Sequence, residues 1–199
     1  MIIKLSNSWA HWLIQNGAHE DDYEVYAYGA ECMLNELLSD LLLMITALLF
    51  HKTFEMLIWM AFFTPLRMHL GGIHASSHLK CIFSSLLLSY FCIFTNPLVA
   101  NFPAIMALLL FISVLIVFKI APVVHPNHPV SEGRKEIMRI RAFSIILIEI
   151  ILVCIAHRYL PEFVAGVASI SIFSVCLLAL IGKFYTEREL SKLSECRLQ

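Results

Sequence analysis

The chain has 199 residues, 59% of them hydrophobic and only 15% charged, with a mean hydropathy of +0.79 and a formal net charge of -1. A soluble domain of this size cannot bury so much apolar surface, which excludes a water-soluble globular enzyme and makes lipid part of the solvent. The balanced charge favours neither an acidic nor a basic partner, and no nucleic-acid partner is expected.

Residues 2–16 place Ile2, Leu5, Trp9 and Trp12 at spacings of three, four and three, an apolar stripe that suits a helix lying in the membrane interface. An ordinary helix docked on the protein fits the same pattern. A cleavable signal peptide does not fit, because a basic start, a continuous apolar core and a small-residue cleavage site are missing. The acidic and aromatic stretch 19–31 reads as solvated, with Tyr23, Tyr26 and Tyr28 near the interface.

Six membrane segments follow, at roughly 34–50, 54–67, 81–96, 102–119, 141–157 and 162–182. Residues 81–118 contain no Asp, Glu, Lys or Arg, and the turn-forming stretch 96–103 divides them into two spans. The second segment is short, with only 11 uncharged residues between Glu55 and Arg67, against the roughly 20 that cross a bilayer core. That part is expected to be sunk incompletely or to adjoin a polar cavity. With the N-terminus inside, 12 of the 14 Lys and Arg fall on the inner side and only Lys52 and Arg158 fall outside. Both termini and the segment 67–81 are therefore expected to face the cytosol.

The fold class is all-α: a polytopic membrane protein with about six membrane-embedded helices plus the N-terminal interfacial helix. It is read as a single domain over 1–199. Within it lie an amphipathic N-terminal region 1–31, a polar segment 67–81, a Pro-rich and basic cytosolic loop 120–140, and a cytosolic tail 183–199. The six cysteines, Cys32, Cys81, Cys92, Cys154, Cys176 and Cys196, show no CxxC spacing, and all but Cys81 read as small packing residues.

The segment 67–81 concentrates His69, His74, His78, Cys81, Arg67, Lys80 and the pair Gly71-Gly72. A Cys nucleophile needs a base that takes its proton or a cation that holds the thiolate, and imidazole does both near neutral pH. In a continuous helix His74 and Cys81 would share a face yet stand about 10 Å apart along the axis, too far for a hydrogen bond. They meet only if the chain bends between them, and Gly71-Gly72 supplies backbone freedom for a fold-back or for close approach of a substrate strand. His78, three residues before Cys81, is within reach on one helical face and is the geometric rival to His74. The same residues also suit a metal: His74, His78 and Cys81 at spacings of four and three, with His69 as a fourth ligand. A simple polar turn between two helices remains the plain alternative. Glu36, Asp40 and Glu149 lie in or near membrane segments, and each is a candidate to orient a catalytic histidine or to line the polar path of a small exporter.

In its motifs the chain resembles the AgrB-like peptidases, membrane cysteine endopeptidases that process precursors of cyclic autoinducing peptides in quorum sensing. The resemblance runs through Arg67, Gly71-Gly72, His74-Ala75 and Cys81, with both intervals of seven, and through Ala121-Pro122, His125-Pro126-Asn127 and Pro129. It implies Cys81 as nucleophile and His74, rather than His78, as its base, with Arg67, Gly71 and Gly72 in support. Pro122, His125, Pro126, Asn127 and Pro129 become candidates for a substrate-facing loop. It further implies an AgrD-like precursor peptide as partner, a thiolactone or lactone product, no cofactor or metal, a plasma-membrane location and self-association as a homodimer.

Overall fold

The computed structural model describes residues 2–71, 78–123 and 132–197. Seven helices follow in chain order: α1 Ile2–Gln15, α2 Tyr23–Leu49, α3 Thr53–Leu70, α4 His78–Ala100, α5 Pro103–Ile120, α6 Glu132–Tyr159 and α7 Glu162–Arg197. Among the described residues there is no strand, only an isolated parallel bridge between Gly71 and Val123. The chain is an all-α polytopic membrane protein, as its apolar pattern predicts.

Among the described residues, five stretches are long and apolar enough to cross a bilayer: Glu20–Leu49, Leu79–Ala100, Pro103–Ile120, Gly133–Tyr159 and Glu162–Tyr185. Their outer faces carry large exposed side chains, such as Phe83, Leu87, Phe91, Phe94 and Leu98 on α4. Those residues recur every three or four positions, a continuous stripe that only lipid can cover. The expected second segment, 54–67, is the helix α3, which is not among the five. It earns its place by packing instead: Met56, Trp59, Leu66 and Leu70 are buried, and the helix lies against α7 and α6.

The last helix, α7, is the axis of the bundle and packs against α3, α4, α5 and α6. In its apolar window 67% is buried, against 17% to 33% for the other four. Small residues make that possible, because Ala165, Gly166, Ala168 and Ser169 let neighbouring backbones approach closely. A Cβ on Gly166 would collide with Asn96 Oδ1 and press on Ala100 of α4.

The helix α1 lies along α2 through its small residues, with Ser6 and Ala10 buried. Leu5, Trp9 and Trp12 point away from the protein. The two readings of the N-terminal stripe thus combine: the helix docks by one face and leaves its Trp-bearing face for the membrane interface.

Three sequence boundaries move. Most of the stretch 19–31 is the start of α2, after a single 3-10 turn at Glu20–Asp22, and its residues are nonetheless largely exposed. The turn 96–103 shrinks to Asn101 and Phe102, because α4 continues through Pro97 to Ala100. A proline one turn from a helix end forfeits only one ladder bond, and here its own carbonyl accepts the Asn101 N–H at 3.2 Å. The tail beyond 183 continues α7 as helix as far as Arg197. Thirty-six residues at about 1.5 Å each far exceed a bilayer core of about 30 Å.

Candidate functional site

Arg67 stands in the last turn of α3, and Gly71 terminates that helix with φ 78° and ψ -159°. This is backbone that residues with a Cβ rarely adopt. The Gly71 carbonyl accepts a hydrogen bond from Arg67 Nη1 at 3.0 Å, and the Gly71 N–H donates to the Arg67 carbonyl at 3.2 Å. One arginine therefore ties both main-chain groups of the glycine to the helix it ends.

On its other side Gly71 meets the second motif segment, which follows α5. After α5 ends at Ile120, the chain turns through a cis Ala121-Pro122 bond, and the Val123 N–H donates to the Leu70 carbonyl at 2.9 Å. A Cβ at Gly71 would run into the Val123 carbonyl oxygen. The close approach expected at this glycine is thus made by the chain's own Val123. Two stretches about fifty residues apart in sequence, 67–81 and 121–129, are joined at this point.

Cys81 occupies the first described turn of α4, half-buried, and its carbonyl accepts a hydrogen bond from Ser84 Oγ at 2.9 Å. The Arg67 guanidinium, also half-buried, is in electrostatic range of both Cys81 and Glu36. Cys32 of α2 is likewise in range of Cys81. On the outer side of α4, Leu79 and Phe83 are exposed beside Lys80.

The three candidate carboxylates separate. Glu36 and Asp40, one turn apart on α2, line a shallow groove with Met33, Leu37, Thr64 and Met68, between α2 and α3. Glu149 lies on α6, buried in the bundle. Glu149 is not among the residues that line that groove. Sequence reasoning named Glu36 without choosing it; its position one helical turn from Met33 and Asp40, on a face shared with Thr64 and Met68, becomes visible only once α2 and α3 are paired.

Of the other predicted residues, His74, Gly72, His125, Pro126, Asn127 and Pro129 lie outside the described residues, as does the bend expected before Cys81. His78 is the first residue of α4, and its side chain is not described. Pro122 is described, next to the bridge. His69 Nδ1 is 3.0 Å from the Pro65 carbonyl, which can only accept, so that nitrogen carries the proton and donates. Among the described residues no group of three or more His, Cys, Asp or Glu is disposed to hold a metal ion.

Residues 6–181 match the family described as accessory gene regulator B. The chain belongs to that family. No curated protein and no solved structure matches it. Membership supports a role in accessory gene regulator signalling through peptide processing at a membrane. The match begins within α1, covers α2 to α6 and ends at residue 181 of α7. Both segments that carry the family's motifs fall within it, and they are the two that the Gly71–Val123 bridge joins.

Proposed function

We propose that this member of the accessory gene regulator B family is a thiol endopeptidase acting from the cytosolic face on a small amphipathic precursor peptide. The observation that carries the reading is the convergence of Arg67 and Cys81 at the junction of the two motif segments. Cys81 thiolate attacks the scissile carbonyl, with the oxyanion forming as the S–C bond forms. His74 then protonates the leaving amine, the C–N bond breaks, and the C-terminal part of the precursor departs, leaving a thioester on Cys81. Attack by an internal Cys or Ser of the bound peptide transfers the acyl group, frees the Cys81 sulfur and closes a thiolactone or lactone ring.

Ring closure competes with hydrolysis, so a site from which water is kept favours it. Cys81 and Arg67 are both half-buried, and the exposed Leu79 and Phe83 suit an apolar peptide face approaching along the membrane surface. Glu36 is the carboxylate in range of Arg67, and we assign it the role of tempering that charge. The charge asymmetry along the chain supports cytosolic termini and a cytosolic site. In this reading the chain is a single domain that self-associates as a homodimer.

The test is precursor cleavage by the protein reconstituted in vesicles. Wild type cleaves without an ion gradient, resists metal chelators and is inactivated by thiol alkylation, whereas Cys81→Ala leaves the precursor intact. Unchanged cleavage by Cys81→Ala removes the assignment. Loss of activity in chelator together with loss of activity in His78→Ala would transfer the chemistry to a metal.

A further inference from the structure

Glu149 has no part in that site. Its residue is 4% exposed, and neither carboxylate oxygen has a hydrogen-bond partner among the described residues. Counted back from Tyr159, where α6 ends, it sits about 15 Å into the bundle, near the middle of a hydrocarbon core about 30 Å thick. Ile146 and Val153, on the same face of α6, are likewise buried, so its surroundings are close-packed and apolar.

The elements packed on α6 are α3, α5 and α7. Their titratable residues are Glu55, Arg67 and His69 near the ends of α3, Lys119 at the end of α5, and Glu162, Cys176, Lys183 and Tyr185 on the membrane part of α7. Arg134, Lys135, Glu136, Arg139, Arg141, Cys154, His157, Arg158 and Tyr159 belong to α6 itself. Of all these, Cys176 is the one in electrostatic range of Glu149. Cys176 is fully buried and hydrogen-bonded to Ser113 of α5, and the Ser113 hydroxyl donates to the Leu109 carbonyl at 2.8 Å. No cation faces the carboxylate among the described residues.

An ionised carboxylate so placed is strongly disfavoured, because neither water nor a counter-charge compensates it. A metal cation would need an oxygen-rich cage of about six ligands, and a thiol and one hydroxyl do not make one. A proton needs no cage. We propose that Glu149 is a proton-binding site in the membrane interior, loaded while α6 is packed against α5 and α7 and emptied only when those helices part enough to admit water. On release the carboxyl O–H bond breaks and the proton passes to the entering water. The site gives the bundle a proton-dependent opening that is independent of Cys81.

Infrared spectroscopy of the protein reconstituted in vesicles tests the first half. At neutral pH the wild type shows a protonated-carboxyl C=O band that shifts in heavy water, is lost in Glu149→Gln, and is displaced but retained in Glu149→Asp. Alkylation by a membrane-permeant maleimide, with adducts located by mass spectrometry, tests the second. The ratio of Cys176 to Cys92 labelling rises with alkaline pH in wild type and stays flat in Glu149→Gln. A band unchanged in both variants, or a ratio with the same pH dependence in wild type and Glu149→Gln, overturns the proposal. Should Glu149→Gln fail to assemble, an unshifted band in Glu149→Asp does so.

Discussion

Gly71 carries two constraints that no other residue type meets at once. Its φ of 78° with ψ -159° disfavours any Cβ, by about 1–3 kcal/mol, and the Val123 carbonyl occupies the place a Cβ would take. Because the obstacle is backbone, no rotamer change relieves it, so Gly71→Ala is expected to lower thermal stability in detergent and to reduce precursor cleavage by tenfold or more. Arg67 is the second sensitive residue. Replacing it with Met removes both the bond to the Gly71 carbonyl and the positive charge in range of Cys81. Slower alkylation of Cys81 at neutral pH, measured by mass spectrometry, is the expected result. Glu36→Gln acts in the opposite direction, because removing a negative charge leaves the Arg67 charge less compensated: Cys81 alkylation should accelerate by a few-fold. A complete loss of cleavage in Glu36→Gln would instead make Glu36 an orienting member of the site. The sequence pointed to Arg67, Gly71 and Cys81 by residue type and spacing. It could not show that Val123 fills the space over Gly71, because that contact depends on how α3 and α5 end in three dimensions.

Among the elements, α7 is where packing decides most. Gly166 faces Asn96 and Ala100, with a Cβ position 3.0 Å from the Ala100 Cβ and 3.3 Å from its Cα. Gly166→Ala would require Asn96 to swing away and α4 to retreat, an overpacking cost of about 1–3 kcal/mol. A lower unfolding temperature in detergent checks this, and an unchanged one would show that α4 and α7 part easily. Helix existence was legible from apolar run length and charge spacing, since five of the six expected segments are spans by length and composition. Boundaries were less so. Pro97 and Asn96 are turn-forming residues by type, yet a helix end so close to them loses little by including them. The start of α2 was hidden for the opposite reason: its acidic, exposed first turns look like loop to any reading based on hydrophobicity.

For the whole molecule, the proposed orientation in the membrane rests on the uneven placement of Lys and Arg rather than on the fold. His51 and Asn101 lie in turns between helices, on the side opposite Gly71 and Val123. Cysteines introduced at His51 and Asn101 are expected to react with an impermeant maleimide applied to intact cells, and Cys81 only after permeabilisation. The reverse labelling pattern would invert the protein and move the candidate site outside. Composition made the membrane class legible at once, whereas the joining of two distant motif segments at Gly71 and Val123 required coordinates. The central claim, that Cys81 becomes acylated by the precursor, is tested most directly by mass spectrometry of the reconstituted protein quenched in acid during turnover. The N-terminal part of the precursor is expected on Cys81 as a thioester that hydroxylamine releases. Efficient cleavage with Cys81 unmodified throughout, or an adduct on another residue, would contradict it.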